Sequence, residues 1–119
     1  MLIYYNAEPN KELLSDCVIR AISLGLAIHY DKIVKLLAEN GDFNSCEEIC
    51  VDCYSKLLEN FGLYKNNGHD RTVEEIAQSY PDDVVIIRIN GHLTCSIDGN
   101  IYDTWDCSKE KCVYYWIVK

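Results

Sequence analysis

VVIIRINGHLTCSIDGNIYDTW, residues 84–105, decides the architecture. Val84 to Ile89 is crowded with β-branched residues, which suit a strand, and His92 to Ile97 and Ile101 to Trp105 flank Asp98-Gly99, a pair that favours the type I′ turn of a tight hairpin. With Asp98 and Gly99 as the two turn residues, Ile97 pairs with Asn100 and His92 comes opposite Trp105. Asp103 is then a diagonal neighbour on the same face as His92. If Asn100 joins the turn as a bulge, the register slips by one and Asp106 takes that place instead. Val113 to Val118 supplies a further aromatic and β-branched strand.

Upstream of these strands the hydrophobic period is helical. Ser15 and Asp16 are good N-cap types, and the apolar run CVIRAISLGLAI that follows predicts a buried central helix with Cys17 in its first turn. Asp31 as cap, Ile33, Leu36 and Leu37 on one face, and Asn40-Gly41 as terminator predict a second helix. Ser45-x-x-Glu48 has the form of a capping box, and Cys46, Ile49, Cys50, Cys53, Tyr54, Leu57, Leu58 and Phe61 continue it as one amphipathic stripe. Asn66-Asn67-Gly68 marks a loop, and Thr72-x-x-Glu75 opens a short helix that must stop near Tyr80 because Pro81 follows. Helices followed by a strand meander predict an α+β domain with its helices on one side of an antiparallel sheet.

Length and balance fit one domain over 1–119: the chain has 119 residues, 49% hydrophobic and 25% charged. The start MLIYYNAEPN lacks the basic flank and long apolar stretch of a signal peptide, and no apolar run is long enough to span a bilayer, so a cytoplasmic protein without membrane contact is expected. In that compartment the seven cysteines are free thiols, directed to catalysis, metal binding or burial. A formal charge of −8 without a basic cluster excludes a nucleic-acid partner. The same charge suits an acidic protein that fills the basic groove of a nucleic-acid enzyme, which is the rival reading.

Cys17 carries the chemistry best. A thiol in the first turn of a helix has its thiolate stabilised by unpaired backbone N–H groups and the positive end of the macrodipole. It needs a base, and His92, just after Gly91 at a strand start, is placed to meet a helix end; His29 and His69 are weaker candidates. Asp103, or in the slipped register Asp106, would orient the imidazole.

A cysteine opening a central buried helix, a Gly-His opening a strand, and Asp103-Thr104-Trp105 on the next strand resemble the papain-like cysteine peptidases, where the tripeptide is Asn-Ser-Trp. DCVIRAIS at 16–23, TVEEIA at 72–77 before a proline, GHLTCSIDGNIYDTWDCS at 91–108 and the YYW strand are similar to a group of small papain-like proteins common in bacteriophages and their hosts. The resemblance implies a minimal papain-like fold. It also implies a cysteine hydrolase (peptidase, isopeptidase or amidase) acting on a protein or peptide through Cys17, His92 and Asp103, with a thioester acyl-enzyme and no cofactor. Papain-like enzymes place a Gln before the nucleophile for the oxyanion; here Asn10 stands in, with the backbone N–H of Cys17 as second donor. Asp16, beside the thiol, departs from the family and would raise the thiol pKa if it pointed inward.

The other motifs have blander readings. Cys46-x3-Cys50-x2-Cys53 spells an iron–sulfur ligand pattern, yet it falls on the apolar stripe of a helix and is expected to pack, so no metal is assigned. Cys107 and Cys112 near the last strands have no spacing that demands ligation, and Cys95 is read as a small core residue. His69 is a solvated loop histidine and His29 a structural one.

Overall fold

The computed structural model describes residues 2–5, 17–40 and 51–118, with backbone alone at 38–40 and 51–53. The elements run β1 (Leu2–Tyr4), α1 (Cys17–Leu26), α2 (Tyr30–Asn40), α3 (Val51–Asn60), β2 (Asn66–Asn67), α4 (Val73–Ser79), β3 (Val84–Ile89), β4 (His92–Ile97), β5 (Asn100–Asp103) and β6 (Tyr114–Val118). The chain is thus α+β, built on a six-stranded sheet in the order β1-β5-β4-β3-β6-β2.

The hairpin takes the register of a two-residue turn, Ile97 opposite Asn100 and Cys95 opposite Tyr102. Asp98 at φ 52° and Gly99 at φ 81° both sit in the left-handed region, as a type I′ turn requires. The slipped register that would bring Asp106 to His92 is therefore not the one adopted.

Two expectations about the sheet are corrected. It is mixed rather than antiparallel, because Leu2–Tyr4 pairs in parallel with Ile101 to Asp103 at the edge, and the Tyr5 N–H extends that ladder to the Asp103 carbonyl at 3.0 Å. Helices also cover both faces rather than one. α1, α2 and α3 bury Ile86, Leu93, Cys95 and Trp116, while α4 and the segment from Cys107 to Cys112 bury Val85, Ile87, Ile89 and Ile101. The reason is legible in β3: VVIIRI is apolar at both parities, so each of its faces needs a cover.

Helix ends settle by local chemistry. α1 stops at Leu26, two residues before the end of the apolar run, because Ala27 turns left-handed at φ 56°. The Ile28 N–H then bonds the Ser23 carbonyl at 3.1 Å and the Ala27 N–H the Leu24 carbonyl at 3.2 Å, a Schellman closure on a non-glycine residue. Asp31 lies inside α2 rather than capping it; His29 caps instead, its Nδ1 accepting from the Asp31 N–H at 3.2 Å. The Thr72–Glu75 capping box forms reciprocally at 3.0 and 3.2 Å and opens α4. Tyr54, Leu57 and Leu58 of α3 are fully buried, but the helix ends at Asn60 and Phe61 turns outward, 43% exposed. The caps assigned to Ser15, Asp16 and Ser45-x-x-Glu48, and the thiols of Cys46, Cys50 and Cys53, lie outside the described residues and side chains.

α1 crosses directly over β4 and β3 at Gly25, where an added Cβ would lie 2.7 Å from Ile86 Cγ1. That close approach holds the first turn of α1 beside the start of β4.

Candidate active site

Asp103 is the last residue of β5, one residue beyond the β4 ladder, and its backbone is held by the parallel strand β1, opposite Tyr4 and accepting from the Tyr5 N–H. Its side chain is almost fully buried, 4% exposed. A carboxylate there needs donors, since an unpaired buried charge costs several kcal/mol. It has them. The Thr104 N–H donates to Oδ1 at 2.7 Å, Cys107 Sγ donates to Oδ2 at 3.6 Å, and His92 Nε2 lies 2.6 Å from Oδ2. A carboxylate only accepts, so Nε2 carries the proton and donates it. Arg20 Nη2, from the second turn of α1, stands 4.0 Å from Oδ1.

His92 opens β4, buried at 8% exposure, with its ring tilted against Trp105 at a centroid distance of 5.0 Å. β5 ends at Asp103, so Trp105 reaches His92 from a bend rather than from the strand expected to run on to 105. Burial alone would push the imidazole down. Hydrogen bonds to Asp103, Cys107 and Cys17 override it and push His92 up to about 11. Asp103 answers in the opposite sense: burial raises its carboxyl, but the His92 hydrogen bond and charge hold it below the usual carboxylate range.

Cys17 is the first residue of α1, partly buried, and close enough to the same imidazole to feel its charge. Burial raises its pKa, yet His92, the Leu93 backbone and the positive charges of His92 and Arg20 outweigh that and bring the thiol below its ordinary 9.0. A shallow depression, partly open to solvent and no larger than a water molecule would fill, is lined by Tyr5, Cys17, Arg20, Leu93, Tyr102 and Asp103.

The structure thus brings Cys17, His92 and Asp103 together and leaves the other candidates out. Asp106 is exposed and accepts from the Ser108 N–H at 3.0 Å. His69 is exposed on a left-handed turn, and His29 is an exposed helix cap. Asn10 lies outside the described residues. Two members were missed in the sequence. Cys107 carries no spacing signal and reaches Asp103 only through the fold. Arg20 did carry one, a lone cation in an otherwise uncharged helix turn.

His92, Asp103 and Cys107 also offer three metal-ligand types with donor atoms within 4.8 Å of one another. The 2.6 Å separation of Nε2 and Oδ2 is that of a hydrogen bond. Two tetrahedral ligands at zinc distances would stand roughly 3.3 Å apart. In this structure the His92 and Asp103 groups are thus spaced as hydrogen-bond partners.

Comparison with protein-family models, with curated proteins and with solved structures finds no match. Among the described residues no helix is long and apolar enough to cross a membrane.

Proposed function

We propose that this chain is a cysteine hydrolase of the papain-like kind, a peptidase, isopeptidase or amidase that works in the cytoplasm on a protein or peptide substrate. The observation that carries the reading is the buried 2.6 Å contact between His92 and Asp103, with a helix-start thiol close enough to the same ring to be lowered by it. Asp103 fixes the tautomer with the proton on Nε2 and leaves Nδ1 to exchange a proton with Cys17.

In the resting site the thiol proton resides on the imidazole, giving a thiolate beside an imidazolium. The thiolate attacks the carbonyl carbon of an amide or ester, and the carbonyl π pair moves onto oxygen. Collapse of the tetrahedral adduct expels the amine or alcohol, which takes its proton from His92, and leaves a thioester on Cys17. Water then gives a proton to His92, attacks the thioester and releases the acid with the thiolate restored. No step requires a cofactor.

The test is site-resolved alkylation by iodoacetamide at about pH 6, where an ordinary thiol of pKa about 8.5 is almost wholly protonated. Cys17 is expected to react about a hundredfold faster than the other six thiols and to lose that advantage in His92→Ala. A Cys17 no faster than its peers overturns the reading in favour of the acidic binding protein, for which Cys17→Ala would leave function intact.

A further inference from the structure

Arg20 belongs to neither the nucleophile nor its base, and its position needs an account. It is a guanidinium only 7% exposed, on the helix turn CVIRAIS whose other members are uncharged. Burying such a cation is unfavourable by several kcal/mol unless an anion answers it. Among the described residues, Asp103 is an anion that answers it, 4.0 Å away at Oδ1 while His92 occupies Oδ2. The two carboxylate oxygens are therefore divided between two cations. Arg20 also stands three residues after Cys17, one turn along the same helix face, and lines the same cleft.

We propose that Arg20 is a positioning residue of the site, holding Asp103 so that its other oxygen stays on His92 and supplying the positive charge that balances the Cys17 thiolate. This rests on the hydrolase reading and extends it. Thiolate, imidazolium, carboxylate and guanidinium then alternate in sign and cancel, so these four groups together carry no net charge in the reactive form. A three-member site in the same form would hold one uncompensated negative charge, which low dielectric penalises. Arg20 does not touch the substrate carbonyl in this scheme; it acts through Asp103 and through the field at the thiol.

Among the described residues, the titratable groups facing Cys17 are His92 from β4, Asp103 and Tyr102 from β5, Tyr5 after β1 and Arg20 on its own helix, with Cys107 behind Asp103. Among these, Arg20 and a protonated His92 are the groups that lower the thiol by charge. Substituting Arg20 thus tests the second cation separately from the base.

The experiment is the pH profile of Cys17 alkylation in the full chain for wild type, Arg20→Met and Arg20→Lys, with urea unfolding of the same proteins and of Arg20→Met/Asp103→Asn. Arg20→Met should move the alkylation midpoint up by about one pH unit, a roughly tenfold slower reaction below the midpoint, and Arg20→Lys should recover most of it. The double variant should be more stable than Arg20→Met alone, because it no longer buries a carboxylate short of a partner. An unchanged midpoint in a folded Arg20→Met overturns the electrostatic role. If Arg20→Met does not fold, the double variant decides: rescue supports the pairing, and no rescue overturns it. A wild-type Cys17 without a lowered midpoint would sink the hydrolase reading, while the stability comparison would still judge the Arg20–Asp103 pairing by itself.

Discussion

Two thiols occupy the same interface between α1 and β4 and are driven in opposite directions. Cys17 opens the helix at the rim of a cleft and is brought below the ordinary thiol range, whereas Cys95, in the middle of β4, is fully buried and pushed up to about 12. Burial raises both. The difference is polar company: Cys17 meets an imidazole, a backbone N–H and a guanidinium, while Cys95 sits among Ile86, Leu93 and the methylene of Gly25, donates to the Ser96 carbonyl at 3.7 Å, and feels the distant negative charge of Asp103, which raises it further. Depth alone makes a thiol inert. What activates one is a helix start and a cation at a place where solvent can still reach.

The largest effect is expected where one group acts on both thiols with opposite sign. Asp103 supports the imidazolium that lowers Cys17, and its own charge raises Cys95. Asp103→Asn should therefore move the two closer together, slowing Cys17 alkylation at pH 6 by about tenfold or more while easing Cys95 slightly downward. It should also destabilise the fold by about 3–5 kcal/mol, because Arg20 loses its carboxylate. Alkylation profiles and urea unfolding of the same variant check both halves; parallel shifts of the two thiols would break the comparison.

Next comes the wall that keeps Cys95 dry. A side chain at Gly25 meets Ile86 at 2.7 Å and Cys95 Sγ at 3.5 Å, so Gly25→Val must pry α1 from the sheet. The expected cost is about 1–3 kcal/mol. Cys95 should become open to alkylation in the native state at alkaline pH, and Cys17 should lose reactivity as its helix start moves from His92. Protection of Cys95 that survives Gly25→Val would mean that something other than helix packing shields it.

The same contrast has a pH signature. His92 is raised in the folded state to about 11 from an unfolded value near 6.5, so the stability it contributes is fully present below about pH 6.5 and is lost as pH rises toward 11. The stability difference between wild type and His92→Gln should narrow by about tenfold in the folding equilibrium between pH 6.5 and 8. Cys95, protonated over that range in the folded chain and almost wholly so in the unfolded one, gives Cys95→Ala a nearly constant difference from wild type. Urea titrations at both pH values separate the two, and a flat His92→Gln difference would argue against an imidazolium.

How much of this was legible follows from where each determinant lies. The hairpin register was open at Asn100, and with it the choice between Asp103 and Asp106; Asp98 and Gly99 both being left-handed closes it, a preference that Asp-Gly carries in its own residues. β3 announced two covered faces by its apolar residues at both parities, interrupted only by Arg88, although the run was read only as strand. The parallel edge strand Leu2–Tyr4 was not legible, because a three-residue strand has no period and its partner lies about a hundred residues away. Ala27 gave no sign of ending α1, since neither Gly nor Asn stands there, and the end is imposed by carbonyls that needed partners. Cys107 was invisible for a similar reason: its tie to Asp103 is made by the path of a loop, not by spacing.

The smallest effect tests whether the site depends on the far side of the sheet. α4 packs on the face opposite α1 and is opened by the Thr72–Glu75 box, whose partners are exposed and remote from the cleft. Thr72→Ala removes one cap bond and should lower stability by about 1 kcal/mol. Because the sheet separates α4 from α1, the ratio of Cys17 to Cys95 alkylation should stay at its wild-type value while the urea midpoint falls. A changed ratio would mean that the two faces are coupled through β3 and β5, and that the contrast between the thiols belongs to the whole sheet rather than to the rim where α1 begins.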